Sequence, residues 1–77
     1  MKVLGYEVPE KVLHACLDRM ASREHFTARG IVDVARSAGY YLRSDIAERL
    51  VDRLIQAHRK SGDLTRVGSP LGWRWRE

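Results

Sequence analysis

The run Trp73-Arg74-Trp75-Arg76 is the stretch whose residue types and spacing point most directly to chemistry with a partner. On a strand, side chains alternate between faces, so both tryptophans share one side and both arginines the other. The tryptophan side suits a core. Stacking those rings on single-stranded bases is the competing use, but a domain this small needs them as anchors. The arginine side is then open to an anion. His14, His25, His58 and Cys16 are the candidate metal donors, yet they form neither a C-x-x-C nor an H-x-x-x-H pattern. One or two of the histidines are expected in the core and one at the surface. Nothing in the sequence resembles G-x-S-x-G, a phosphate-cradling glycine loop, or a carboxylate pair isolated from basic neighbours. A chain of 77 residues also has little room for a deep substrate pocket. The expectation is a protein that is not an enzyme and uses no cofactor and no metal.

Size sets the frame for any site. Residues 1–77 are read as one domain, burying about 60% of the surface its unfolded chain would expose. At 44% hydrophobic residues the composition is that of a globular protein. The single cysteine, Cys16, allows no internal disulfide and fits a small core position in a reducing compartment. Met1-Lys2-Val3-Leu4-Gly5 begins no apolar run long enough for a signal peptide or a membrane span. A soluble, cytoplasmic protein is therefore expected, nucleoid-associated if it binds DNA. The net charge of +4 comes from 14 basic and 10 acidic residues. Residues 1–21 balance, so the excess lies in the last two thirds, where it favours a polyanionic partner.

Three helices and a hairpin are legible. Pro9 suits a first helical turn, and Glu10 complements the dipole there. Val12, Leu13, Cys16, Leu17 and Met20 then make one buried stripe, predicting a helix over roughly residues 9–21. His25-Phe26-Thr27 reads as a brief extended segment, with Phe26 plugging the core and Thr27 capping a second helix at about residues 28–38. Ile31, Val34, Ala35 and Ala38 form its stripe, and Gly39 stops it as a C′ residue. Tyr40 and Tyr41 follow, one packing inward and the other left to hydrogen-bond a phosphate or a partner. Ser44, or Asp45 with Glu48 as capping-box partner, starts the strongest helix, about residues 45–61. Ile46, Ala47, Leu50, Val51, Leu54, Ile55 and His58 give it the widest apolar face. Past Gly62 the period becomes two: Leu64–Val67 and Trp73–Arg76 flank the turn-forming Gly68-Ser69-Pro70-Leu71-Gly72, a hairpin over about residues 64–76.

That order of elements resembles the winged helix proteins, a mainly α fold with a small β-hairpin in a three-helix winged helix-turn-helix domain. Gly62-Asp63-Leu64-Thr65-Arg66-Val67 followed by Gly72-Trp73-Arg74-Trp75 looks like their wing, and His25-Phe26-Thr27 resembles the short strand that pairs with it. The resemblance covers about residues 9–76 and rests on pattern, so it speaks to fold more than to function. It implies double-stranded DNA as partner, as for a small transcriptional regulator or a phage or mobile-element accessory factor. The third helix would lie in the major groove and the wing on a neighbouring minor groove or phosphates. Carried onto this chain, Arg49 and Arg53 would pair with guanine and Gln56 with adenine. Arg43 and Ser44 would meet phosphates at the helix start. In the wing, Arg66, Ser69, Arg74 and Arg76 would touch the backbone or minor groove.

The same helix face carries Asp45, Glu48 and Asp52, which repel phosphate unless one accepts from cytosine. The competing reading makes that face a solvated, salt-bridged one, with Asp45 paired to Arg49 and the other two carboxylates to neighbouring arginines. A winged helix serving as a protein-interaction module, without direct DNA binding, is the alternative. A monomer or weak homodimer is expected, with a protein partner supplementing its small DNA interface.

Overall fold

The computed structural model describes residues 2–22, 24–39, 42–68 and 72–76. Within them the chain is mainly helical: α1 (Glu10–Met20), α2 (Ala28–Ala38) and α3 (Ser44–Lys60). An antiparallel hairpin of β3 (Leu64–Val67) and β4 (Gly72–Trp75) follows the helices. A second, smaller hairpin of β1 (Lys2–Val3) and β2 (Tyr6–Glu7) precedes them. This N-terminal hairpin is not foreseen from the sequence. Its turn is Leu4-Gly5, both at positive φ (51° and 79°), which is what the two-residue turn of a tight hairpin requires.

Each helix starts by a local device. Thr27 Oγ1 accepts from the Gly30 N–H at 3.0 Å and caps α2. Pro9 is the N-cap of α1 and lies just outside the helix; its carbonyl accepts from the Val12 N–H at 3.0 Å. Neither Ser44 nor Asp45 caps α3. Arg43 holds the N-cap position without a side-chain hydrogen bond, and α3 begins at Ser44 itself. Gly39 is a C-cap at negative φ (−101°), so a left-handed turn is not its reason. A Cβ there would sit 3.0 Å from Val12 Cγ2 and 3.3 Å from Leu42 Cβ, so the missing side chain lets α1 approach the end of α2.

The buried side chains are all apolar among the described residues. Six of them lie on α3 (Ile46, Ala47, Leu50, Val51, Leu54 and Ile55), against three on α1 and two on α2. Leu13 and Leu17, expected within the buried stripe of α1, are only half-buried. Val3, Val8, Phe26, Leu42 and Leu64 bring the connections and both hairpins into the same core. No histidine belongs to it: His14 is exposed, while His25 and His58 are half-buried. A half-exposed ring keeps its polar nitrogens near water and avoids the desolvation that a core site would impose.

The β3–β4 hairpin is held to the helices in two places. Phe26 forms an isolated antiparallel bridge with Trp73, through N–H to O distances of 2.9 and 2.8 Å. At the other end, His58 Nδ1 lies 2.9 Å from Asp63 Oδ2, and its ring sits 5.0 Å from that of Trp75. Both tryptophans are half-buried and packed against the core.

Gly72 makes the first of these attachments possible. A Cβ at this position would fall onto the Phe26 carbonyl and the His25 ring, whereas one at Gly68 meets nothing within 4 Å. Gly72→Ala should therefore cost about 2 kcal/mol in urea unfolding. Gly68→Ala should stay within about 0.5 kcal/mol. Equal losses at the two positions would contradict this account of the bridge.

Candidate nucleic-acid interface

Pairing register decides where the hairpin arginines stand. Leu64 is opposite Trp75 and Arg66 opposite Trp73, so these four share the helix-facing side. The Arg66 guanidinium lies 5.5 Å from the centroid of the Trp73 ring, a cation–π contact that holds it at the rim of that side. Thr65 is opposite Arg74, and both are exposed on the outer side. Arg76 follows β4, is exposed, and donates its backbone N–H to the Asp63 carbonyl at 2.6 Å. Ser69 lies outside the described residues, as do Tyr40 and Tyr41. Between Leu64 and Arg76 the sequence holds three arginines and no carboxylate.

The candidates on α3 are dispersed. At 3.6 residues per turn, the exposed arc divides lengthwise. Asp45, Glu48 and Asp52 occupy one edge, which ends on Arg59 two turns further on; Arg49, Arg53 and Lys60 occupy the other. Arg53 donates from Nη1 to the Lys2 carbonyl at 2.8 Å, which places the basic edge beside β1. Gln56 accepts from Arg59 at 2.9 Å, so its amide oxygen is already engaged. Arg43 pairs with Asp45 at 2.9 Å.

This last contact corrects the expected Asp45–Arg49 bridge. The helix-start geometry turns Asp45 back toward Arg43 and toward the Ile46 N–H, which its Oδ1 accepts at 2.9 Å. Among the described residues, Arg49, Glu48 and Asp52 make no ion pair. The face is charged, but it is not laced together.

The acidic edge forms one wall of a groove of about 530 Å³. Glu48 and Asp52 stand on the α3 side, Arg29 and Arg36 on the α2 side. Val32, Val51, Ile55 and Trp73 make its apolar surface. Sequence reasoning missed it. The one available signal was Val32, an apolar residue one step off the buried stripe of α2. Ser44 also borders this groove, so it stands on the acidic side of α3.

Among the described residues, no group of three or more His, Cys, Asp or Glu side chains is placed to hold a metal ion. No helix there is long and apolar enough to cross a membrane. No protein-family model matches this chain, and comparison with curated proteins and with solved structures finds no match.

Cys16 is fully buried, and the loss of hydration pushes its thiol from an ordinary 9.0 up to about 11. A protonated, enclosed thiol is a poor nucleophile. Alkali ionises the thiol of the unfolded chain before that of the folded one. This contribution to stability is therefore complete below pH 9.0 and is lost as the pH rises toward about 11. Thiol labelling at pH 8 should track unfolding, and Cys16→Ala should flatten the alkaline fall in the unfolding midpoint. Rapid labelling of the folded chain would contradict the burial.

Proposed function

We propose that this chain is a winged helix domain that binds double-stranded DNA, with the β3–β4 hairpin as its principal contact. The observation that carries the reading is the arginine-only hairpin: Arg66, Arg74 and Arg76 with no carboxylate between residues 64 and 76. Phosphate attraction falls off within about 10 Å in ordinary salt, so the charges nearest the contact count most. The order of helices, the Phe26–Trp73 pairing and the hairpin after α3 support the fold assignment. A small transcriptional regulator or mobile-element accessory factor is the role that follows.

The third helix serves this function differently from the sequence expectation. The hairpin contacts α3 near its acidic edge, through Trp73 in the groove, whereas Arg49 and Arg53 lie along the opposite edge. A duplex resting on the hairpin meets Glu48 and Asp52 before it meets those arginines. Phosphate contacts through Arg74, Arg66 and Arg76 thus supply the affinity, and α3 contributes Arg43 at its start. Protein interaction is the second reading, favoured by the apolar groove.

A salt titration with duplex DNA tests the proposal. Log K should fall by about 0.9 per phosphate neutralised for each unit of log salt. Arg74→Ala should weaken binding to all sequences alike and reduce the slope by about one. Arg49→Ala should have the smaller effect, and Glu48→Gln with Asp52→Asn should tighten binding. Absence of binding at low salt, or indifference to Arg74→Ala, would overturn the reading.

A further inference from the structure

The groove between α2 and α3 holds charge of both signs that the chain itself leaves unpaired. Arg29, Asp33 and Arg36 line it from α2, Glu48 and Asp52 from α3. All five are exposed, and among the described residues none of them makes an ion pair or a side-chain hydrogen bond. Opposite charges across a narrower cleft would have closed on each other. Here no cation of one wall reaches a carboxylate of the other, so the walls stand further apart than a direct ion pair spans.

Between these charges the surface is apolar. Val51 and Ile55, one turn apart on α3, are buried, and Val32 and Trp73 are half-buried beside them. The volume of about 530 Å³ is that of a small-molecule site and exceeds what one side chain fills. Asp33 and Arg36 also border a shallow hollow next to Ser37 and Leu42, so their charge is shared between two surfaces. Arg59, further along the acidic edge, does not line the groove and donates to Gln56.

Such a lining complements neither a plain anion nor a plain cation, because each meets one repelling wall. It suits a molecule with both charges, set at separate ends of an apolar body. We propose that the α2–α3 groove binds a short apolar peptide, two or three residues long, with free ends. Its carboxylate faces Arg29 and Arg36, whose guanidinium groups offer paired N–H donors to a planar carboxylate. Asp33 stands on this wall too, where the two arginines outnumber it. The peptide's ammonium faces Glu48 and Asp52, and its side chains lie on Val32, Val51, Ile55 and Trp73. A free amino acid carries both charges on one carbon, whereas a peptide bond or two separates them enough to answer both walls. This binding is independent of the DNA reading and needs no DNA.

An NMR titration of the labelled full chain with the dipeptide leucyl-phenylalanine, without DNA, provides the test. The backbone amides of Val32, Val51 and Ile55 and the Trp73 indole N–H should shift saturably at millimolar peptide or below. Acetylating the peptide's amine, or amidating its carboxylate, should each weaken binding about fivefold, as loss of a partly exposed ion pair does. Arg29→Gln with Arg36→Gln should bind the free and the amidated peptide alike and still disfavour the acetylated one. Glu48→Gln with Asp52→Asn should show the reverse pattern. All four positions are exposed, so circular dichroism should show both double variants folded. The capped peptides are compared on the wild-type chain, an arm that depends on neither variant. Absence of saturable shifts at the groove would overturn the proposal. So would equal affinity for free and capped peptides, or folded double variants that keep the wild-type order of preference.

Discussion

Two backbone hydrogen bonds between Phe26 and Trp73 hold the β3–β4 hairpin to the helices. A two-stranded hairpin in water is marginal without something to pack on. Here the bridge gives β4 a partner on its second edge, and the Phe26 side chain of the same residue is sunk in the core. Trp73 is thereby fixed where one flank of its ring bounds the groove and Arg66 rests over the ring. The glycine before it lets the two backbones approach. The hairpin's arginines owe their positions to this junction.

The second organising constraint is the division of α3. Its apolar face is wide, with six buried residues, so every charge is confined to the remaining arc. Within that arc Asp45, Glu48 and Asp52 fall on one edge and Arg49 and Arg53 on the other, with Arg59 joining the carboxylate edge only in the last turn. Before that last turn each edge keeps a field of its own, where interleaving would have cancelled it at short range. The acidic edge turns phosphate away from the centre of α3. The basic edge is held beside the N-terminal hairpin, so it does not add to the arginines of β3 and β4.

The helices were legible because their stripes repeat at the helical period and Thr27 supplies a cap. The hairpin was legible from the change of period after Gly62. The Phe26–Trp73 pairing was accessible only through resemblance, since nothing local in His25-Phe26-Thr27 names a partner. Other features depend on contacts distant in sequence. Gly39 looked like a helix stop, and its role is instead to clear space for Val12 of another helix. Asp45 has arginines on both sides, at Arg43 and Arg49, and the helix start selected the former. The hairpin at Leu4-Gly5 lacks the usual turn residue at its first position, so composition concealed it. The groove combines Val32 from α2 with Trp73 from β4, a juxtaposition no spacing rule anticipates.

The proposal that the arginine-only hairpin meets the duplex is tested most directly by following backbone amides of the labelled chain by NMR as duplex DNA is added at low salt. Resonances of residues 64–68 and 72–76 should shift first and furthest, with smaller changes around Arg43 and little along Arg49 and Arg53. Shifts centred on α3 between Glu48 and Gln56, or none at all, would contradict it.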